Sequence, residues 1–198
     1  MNPNEIRESL DRKVEHIRGQ KNLTARAKQT MVARAFIEAR AALDALKEQE
    51  VARIERQRTE LDRKLFGTNG FSPDPNTVIA RRDANDRAAK LDTPRDAEHA
   101  MRRAEREGDR IMAKAIAARA ADYSGDPSWA QLLNQYVEGK PEETATLQAM
   151  VDLPDTSDGM WQLAKAMEYG IATPSEIGDQ MPEGLAALPL DGDAPTAA

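Results

Sequence analysis

Two histidines, one acidic turn, several arginine rows and a few aromatic rings are the residues of this chain whose types invite chemistry. Imidazole binds metals and moves protons near neutral pH. His16 and His99, however, each stand alone among charged residues, with no second histidine three or four positions away. A helix needs that spacing to present two imidazoles to one ion, so both are expected at the surface. The stretch DLPDTSDG, 152–159, gathers three aspartates. A calcium loop needs alternating oxygen ligands, a glycine in sixth place and a glutamate in twelfth. Here Leu163 or Ala166 stands at the twelfth place, depending on register. The stretch is expected to be a turn that caps a helix through Ser157 or Asp158. No P-loop, dinucleotide or nucleophile-elbow signature occurs. The absence of cysteine excludes thiolate and disulfide chemistry. No catalytic residue, metal or cofactor is expected, and the chain is not read as an enzyme.

Arginine rows raise a different chemistry. Arg53, Arg56 and Arg58 form one row; Arg102, Arg103 and Arg106 form another. Such rows attract phosphate by displacing counterions. Acids interleave with them, among them Glu55, Glu60, Asp62, Glu105 and Glu107. Mixed signs at helical spacing form pairs such as Glu60 with Lys64 or Glu98 with Arg102. No aromatic residue lies among the arginines to stack on bases. A solvated helix face is expected, with phosphate contact the alternative. Trp129, Tyr136, Trp161 and Tyr169 are expected as the core of a small bundle. The alternative is a docking surface for a partner helix.

The elements that position these residues read as helices. Ile6, Leu10, Val14 and Ile17 share one face of a short helix over 4–18. The next is predicted over 25–66, between Thr24 as cap and Gly67 past its end. A helix of that length spans roughly 60 Å. Val32, Phe36, Ala39, Leu43 and Leu46 form a heptad seam. Val51, Ile54, Leu61 and Leu65 continue it one residue out of frame, with Lys47 and Arg58 in the same track. The thin second half needs another long helix beside it. The segment 94–122, opened by Thr93-Pro94, offers one, with Met101, Ala104, Gly108, Ile111 and Ala115 as a seam of mostly small residues. Gly108 in its middle hints at a tight crossing or a bend. Further helices follow Pro127 and Pro141, and a third after Asp158 carries Met160, Leu163, Ala164 and Met167 on one face.

Composition changes sharply along the chain. Of the 28 lysines and arginines, only Lys140 and Lys165 lie beyond residue 119, where they face 14 acids. The expectation is an all-α protein: a long helical hairpin or coiled-coil arm, then a small acidic helical bundle and a disordered C-terminal tail. The domains are 1–122 (long helices 25–66 and 94–122), 123–181 and 182–198. There is no apolar leader in MNPNEIRESLDRK, and 18 apolar residues nowhere run together. That suits a cytoplasmic protein, in the host cell or the virion if phage-encoded, with no membrane span.

The arm ALDALKEQEVARIERQRTELDRKL, the helix MRRAEREGDRIMAKAIAARAA and the acidic tail together resemble the small helical scaffolding and virion-assembly proteins of tailed phages. The resemblance implies a non-enzymatic assembly role through self-association, as a homo-oligomer, and through a protein partner. Where such proteins commonly carry a basic coat-binding segment near the C-terminus, this chain is acidic. Two alternatives remain: a nucleic-acid-associated protein using the arginine rows, and an adaptor whose acidic bundle takes a basic partner.

The nucleic-acid alternative has a direct test. In about 150 mM salt, where the screening length is about 8 Å, duplex DNA should bind only weakly, because neighbouring acids offset the arginines. Changing Arg53, Arg56 and Arg58 together to Glu should alter that little in a fluorescence-anisotropy titration. Submicromolar, steeply salt-dependent binding lost in the triple variant would favour the phosphate-contact reading.

Overall fold

Asn2 and Glu5 begin the first helix with a reciprocal pair of bonds. Asn2 N donates to Glu5 Oε2 (2.9 Å) and Glu5 N donates to Asn2 Oδ1 (3.0 Å), with Pro3 at the first helical position. The computed structural model describes residues 2–67 and 74–190, and every regular element among them is a helix. Helix α1 is Pro3–Gly19, and α2, Ala25–Phe66, has the bounds the sequence predicts. Shorter helices follow: α3 (Pro75–Ala88), α4 (Pro94–Glu107), α5 (Arg110–Asp122), α6 (Pro127–Val137), α7 (Pro141–Val151), α8 (Gly159–Glu168) and α9 (Pro182–Ala186).

The chain forms two compact units, Met1–Ile54 with Asp155–Ala198, and Glu55–Pro154. This differs from the expected arm of 1–122 and bundle of 123–181. The composition break near 120 marks a change in surface charge, whereas the cores are assembled by apolar contacts on both sides of it. In the first unit, Ile6, Leu10, Val14 and Ile17 of α1 cluster with Val32, Phe36 and Leu43 of α2, and with Ile177 and Leu185. Ile177 and Leu43 are fully buried. The segment 182–190 is therefore packed, contrary to the expected disordered tail. Its few apolar residues suffice because α1 and α2 supply the rest of the core. Arg34 adds hydrogen bonds from Nε to Ala186 O and from Nη2 to Leu188 O, each 2.9 Å, and Arg40 pairs with Glu183. Residues 191–198, the remainder of the expected tail, lie outside the described residues.

In the second unit α5 is central. It packs on α3, α4 and α6, and Met112, Ala113, Ala115, Ile116, Ala117 and Ala120 are all buried. A helix apolar around most of its circumference belongs inside. Trp129, Leu132, Leu133, Tyr136 and Val137 of α6 complete this core, with Leu65 and Phe66 from the end of α2.

The predicted helix over 94–122 is two helices. Gly108 adopts the left-handed conformation (φ 71°), Asp109 N donates to Ala104 O (2.8 Å) and Gly108 N donates to Glu105 O (3.2 Å). These are the two bonds of a Schellman termination. Asp109 then accepts from Met112 N (2.9 Å) and caps α5. The break lets α4 fold back on α5, so the segment pairs with itself rather than along the length of α2.

The sign of one substitution separates these two geometries. A β-carbon at Gly108 would meet nothing within 4 Å, so the cost of Gly108→Ala is conformational. In the left-handed region that cost is about 1–2 kcal/mol. Within a continuous helix the same change would stabilise by about 1 kcal/mol. Urea denaturation of Gly108→Ala should show the loss.

Candidate interaction surface

Helix α8 is amphipathic, but its apolar stripe faces solvent. Asp158 caps it, accepting from Trp161 N (2.9 Å), while Asp155 Oδ1 holds the preceding turn by accepting from Ser157 N (2.8 Å) and Oγ (2.6 Å). The capped-turn reading of DLPDTSDG is thus the one observed. No group of metal-ligating side chains occurs among the described residues. At the other end, Arg7 donates to Gly170 O (2.9 Å from Nη2) and to Glu168 O. A guanidinium there satisfies terminal carbonyls and opposes the negative end of the helix dipole.

The inward side of α8 is polar. Lys165 Nζ donates to Glu50 Oε1 of α2 (2.9 Å) and to Glu168 Oε2 (2.7 Å), and its side chain is only 16% exposed. Tyr169 OH donates to the second Glu50 oxygen (2.8 Å). The Lys165 ammonium lies 5.8 Å from each of the Trp161 and Tyr169 ring centroids. Burial would push the Glu50 carboxyl up, but the bonds from Lys165 and Tyr169 outweigh it and hold the group below the ordinary glutamate range. Glu168, then Glu50, raise Lys165 above the ordinary lysine range.

The outward side carries Met160, Leu163 and Met167, at 74, 56 and 76% exposure. None of the residues of α8 is buried. The sequence shows this stripe, but a stripe on an amphipathic helix is ordinarily the buried face. The clasp on Glu50 reverses it. Lys165 is the only base of α8, and it is turned inward, so the charge bordering the stripe is the carboxylate of Glu168.

The residues singled out in the sequence have mixed fates. Val32, Phe36, Leu43, Ile54 and Leu65 are buried; Leu46, Val51 and Leu61 are half-buried. Met101, Ala104 and Ala115 are buried in the second unit, and Ile111 packs against that core. Gly108 is a helix terminator. Trp129 and Tyr136 are core residues at 5 and 6% exposure, as the bundle reading expects, and so are not available for docking. Trp161 and Tyr169 are half-buried on the inner side of α8. Arg102 pairs with Glu98 and Arg103 with Glu107, while Arg58 donates to Pro154 O (2.9 Å) and lies near Glu55 (3.8 Å). Arg53, Arg56 and Arg106 are exposed. Pairing at helical spacing matches the solvated-face reading of the rows. None of the described helices is long and apolar enough to cross a membrane. Comparisons with protein families, curated proteins and solved structures find no match to this chain.

The clasp predicts a pH dependence. A carboxyl depressed on folding stabilises above the ordinary range and loses that contribution as pH falls through its folded value. Glu50→Gln should therefore lower the melting temperature at pH 7, and the gap from the unmodified protein should narrow below roughly pH 4. Equal gaps at pH 7 and pH 3.5 would show that the charge on Glu50 contributes nothing.

Proposed function

We propose that this chain is a non-enzymatic assembly protein that docks a basic amphipathic helix of a partner protein on α8. The outward stripe of Met160, Leu163 and Met167 carries the reading. Contiguous exposed apolar side chains rimmed by polar groups mark interaction sites. The 3–4 spacing is the one that receives an apolar helix face, and methionine adapts its shape to the residues it meets.

Charge selects the occupant. The segment 155–190 holds six carboxylates and one base, Lys165, which is covered. A second copy laid antiparallel would bring Glu168 of one chain toward Asp158 of the other, like against like. A helix with lysine or arginine beside its apolar face meets complementary charge instead. The phage-assembly resemblance agrees with a partner-binding role, and the acidic character fits a basic partner.

The test uses two helical peptides of one pattern, leucine–lysine and leucine–glutamate, titrated by anisotropy. The leucine–lysine peptide should bind, and the leucine–glutamate peptide should not. Leu163→Gln with Met167→Gln should weaken binding by roughly tenfold or more. Stability should change by no more than about 0.5 kcal/mol, since both side chains are exposed. Equal binding to the double variant would overturn the site. A dimer that the double variant disperses would make the occupant a second copy and overturn the partner assignment.

A further inference from the structure

We infer that the second unit carries a binding site for a phosphorylated, hydroxyl-bearing small molecule, in a cleft where Arg81 of α3, Lys114 of α5 and Lys140 before α7 converge. The cleft has a volume of about 1070 Å³, at the upper end of the roughly 300–1,000 Å³ of ligand sites. Its apolar lining includes Ala88, Ala104, Ala115 and Ala118. Two of these, Ala104 and Ala115, belong to the small-residue seam that the sequence offers to a second helix; they are almost wholly buried in the wall of the cleft. This inference is independent of docking at α8.

Arg81, Lys114, Lys140 and Arg119 are in no direct ion pair among the described residues, although Asp62, Glu105, Asp109, Asp122 and Glu143 line the same cleft. Lys114 Nζ donates to Gly67 O (2.9 Å), and Lys140 Nζ donates to Tyr136 O while lying 3.7 Å from that ring's centroid. Both acceptors are neutral carbonyls. Arg119 also lines the cleft, its guanidinium 4.4 Å from the Tyr123 ring centroid, and its Nε is buried without a hydrogen-bond partner. Among the described residues no carboxylate forms an ion pair with any of these four. Burial, then the nearby charge of Arg81 and Lys140, depresses Lys114, with Glu143 opposing. Like charges held together in a partly buried cleft are costly unless an anion joins them. A phosphate group supplies the charge and enough acceptors for several donors at once.

The acids of the cleft narrow the ligand further. Asp62 is pushed up by burial and by Asp122, with Arg81 opposing. Asp62 and Asp122 line the cleft beside the basic residues, and Glu143 lies near Lys114. Carboxylates so placed repel a continuous polyanion, which excludes a nucleic-acid backbone, but accept hydrogen bonds from hydroxyl groups. One phosphate on a polyol satisfies both sets.

Ribose 5-phosphate is the probe, with inorganic phosphate, ribose and citrate as comparisons, on full-length protein carrying ¹³C-methyl alanine. Ribose 5-phosphate should shift the methyl signals of Ala88, Ala104, Ala115 and Ala118. Inorganic phosphate should bind more weakly at the same signals, and ribose alone should leave them unmoved. Arg81→Gln and Lys140→Gln should each weaken binding roughly tenfold. Arg102→Gln, whose arginine is paired with Glu98, should change nothing. Lys114→Gln should weaken binding more, but it also removes the bond to Gly67 O, so the first two variants decide. No shift of these methyls up to roughly 10 mM probe, an affinity far too weak for a built site, would overturn the inference. So would unchanged binding in Arg81→Gln, or citrate binding as tightly as ribose 5-phosphate.

Discussion

A 42-residue helix with little apolar surface has to be covered, and that requirement shapes everything else in the chain. The seam of α2 changes frame midway, so no single partner can follow it. Its first half is covered by α1 and by Ile177 and Leu185. Its last turn delivers Leu65 and Phe66 to a separate core. Between them, polar contacts take over: Glu50 receives Lys165 and Tyr169, and Arg58 reaches Pro154 O. Charged residues on α2 thus hold chain segments that apolar contact alone would leave loose.

Much of this is legible in the sequence. Local signals fixed the helix ends well, because caps and prolines act within a few residues: Thr93-Pro94, Asp126-Pro127 and Asp158 all begin helices as read. What the sequence does not show is long-range. Gly108 stands out in the sequence, but whether a glycine bends a helix or ends it depends on Asp109 being free to cap the next one. The stripe on α8 was also visible, but its direction is set by Glu50, more than a hundred residues away. Ile177 and Leu185 look too sparse to fold, and are buried because other segments bring the rest of the core. The cleft cations leave no local signal, because Arg81, Lys114 and Lys140 are remote in sequence.

Polar inside and apolar outside is a costly arrangement for a helix, and α8 adopts it with three supports: a cap at Asp158, a guanidinium at its end and the Glu50 clasp. The clasp takes the lysine out of solvent, which leaves the stripe bordered by acid. Position and specificity of the proposed docking face therefore come from one set of contacts.

The contacts of Arg7, Arg18, Arg34 and Arg40 have a bearing on how the protein is made. Each joins residues about 140 to 160 positions apart, as in Arg7 with Gly170 and Arg40 with Glu183. A ribosome adding roughly 5–20 residues per second places those partners about 7 to 30 s apart. For that interval α1 and the first half of α2 exist without Ile177 and Leu185, while the continuous stretch 55–154 already has its own core residues in hand. The unit built from residues 1–54 is thus completed after the unit 55–154, and its apolar face stays open to chaperones or to other nascent chains until Ile177 and Leu185 have been made.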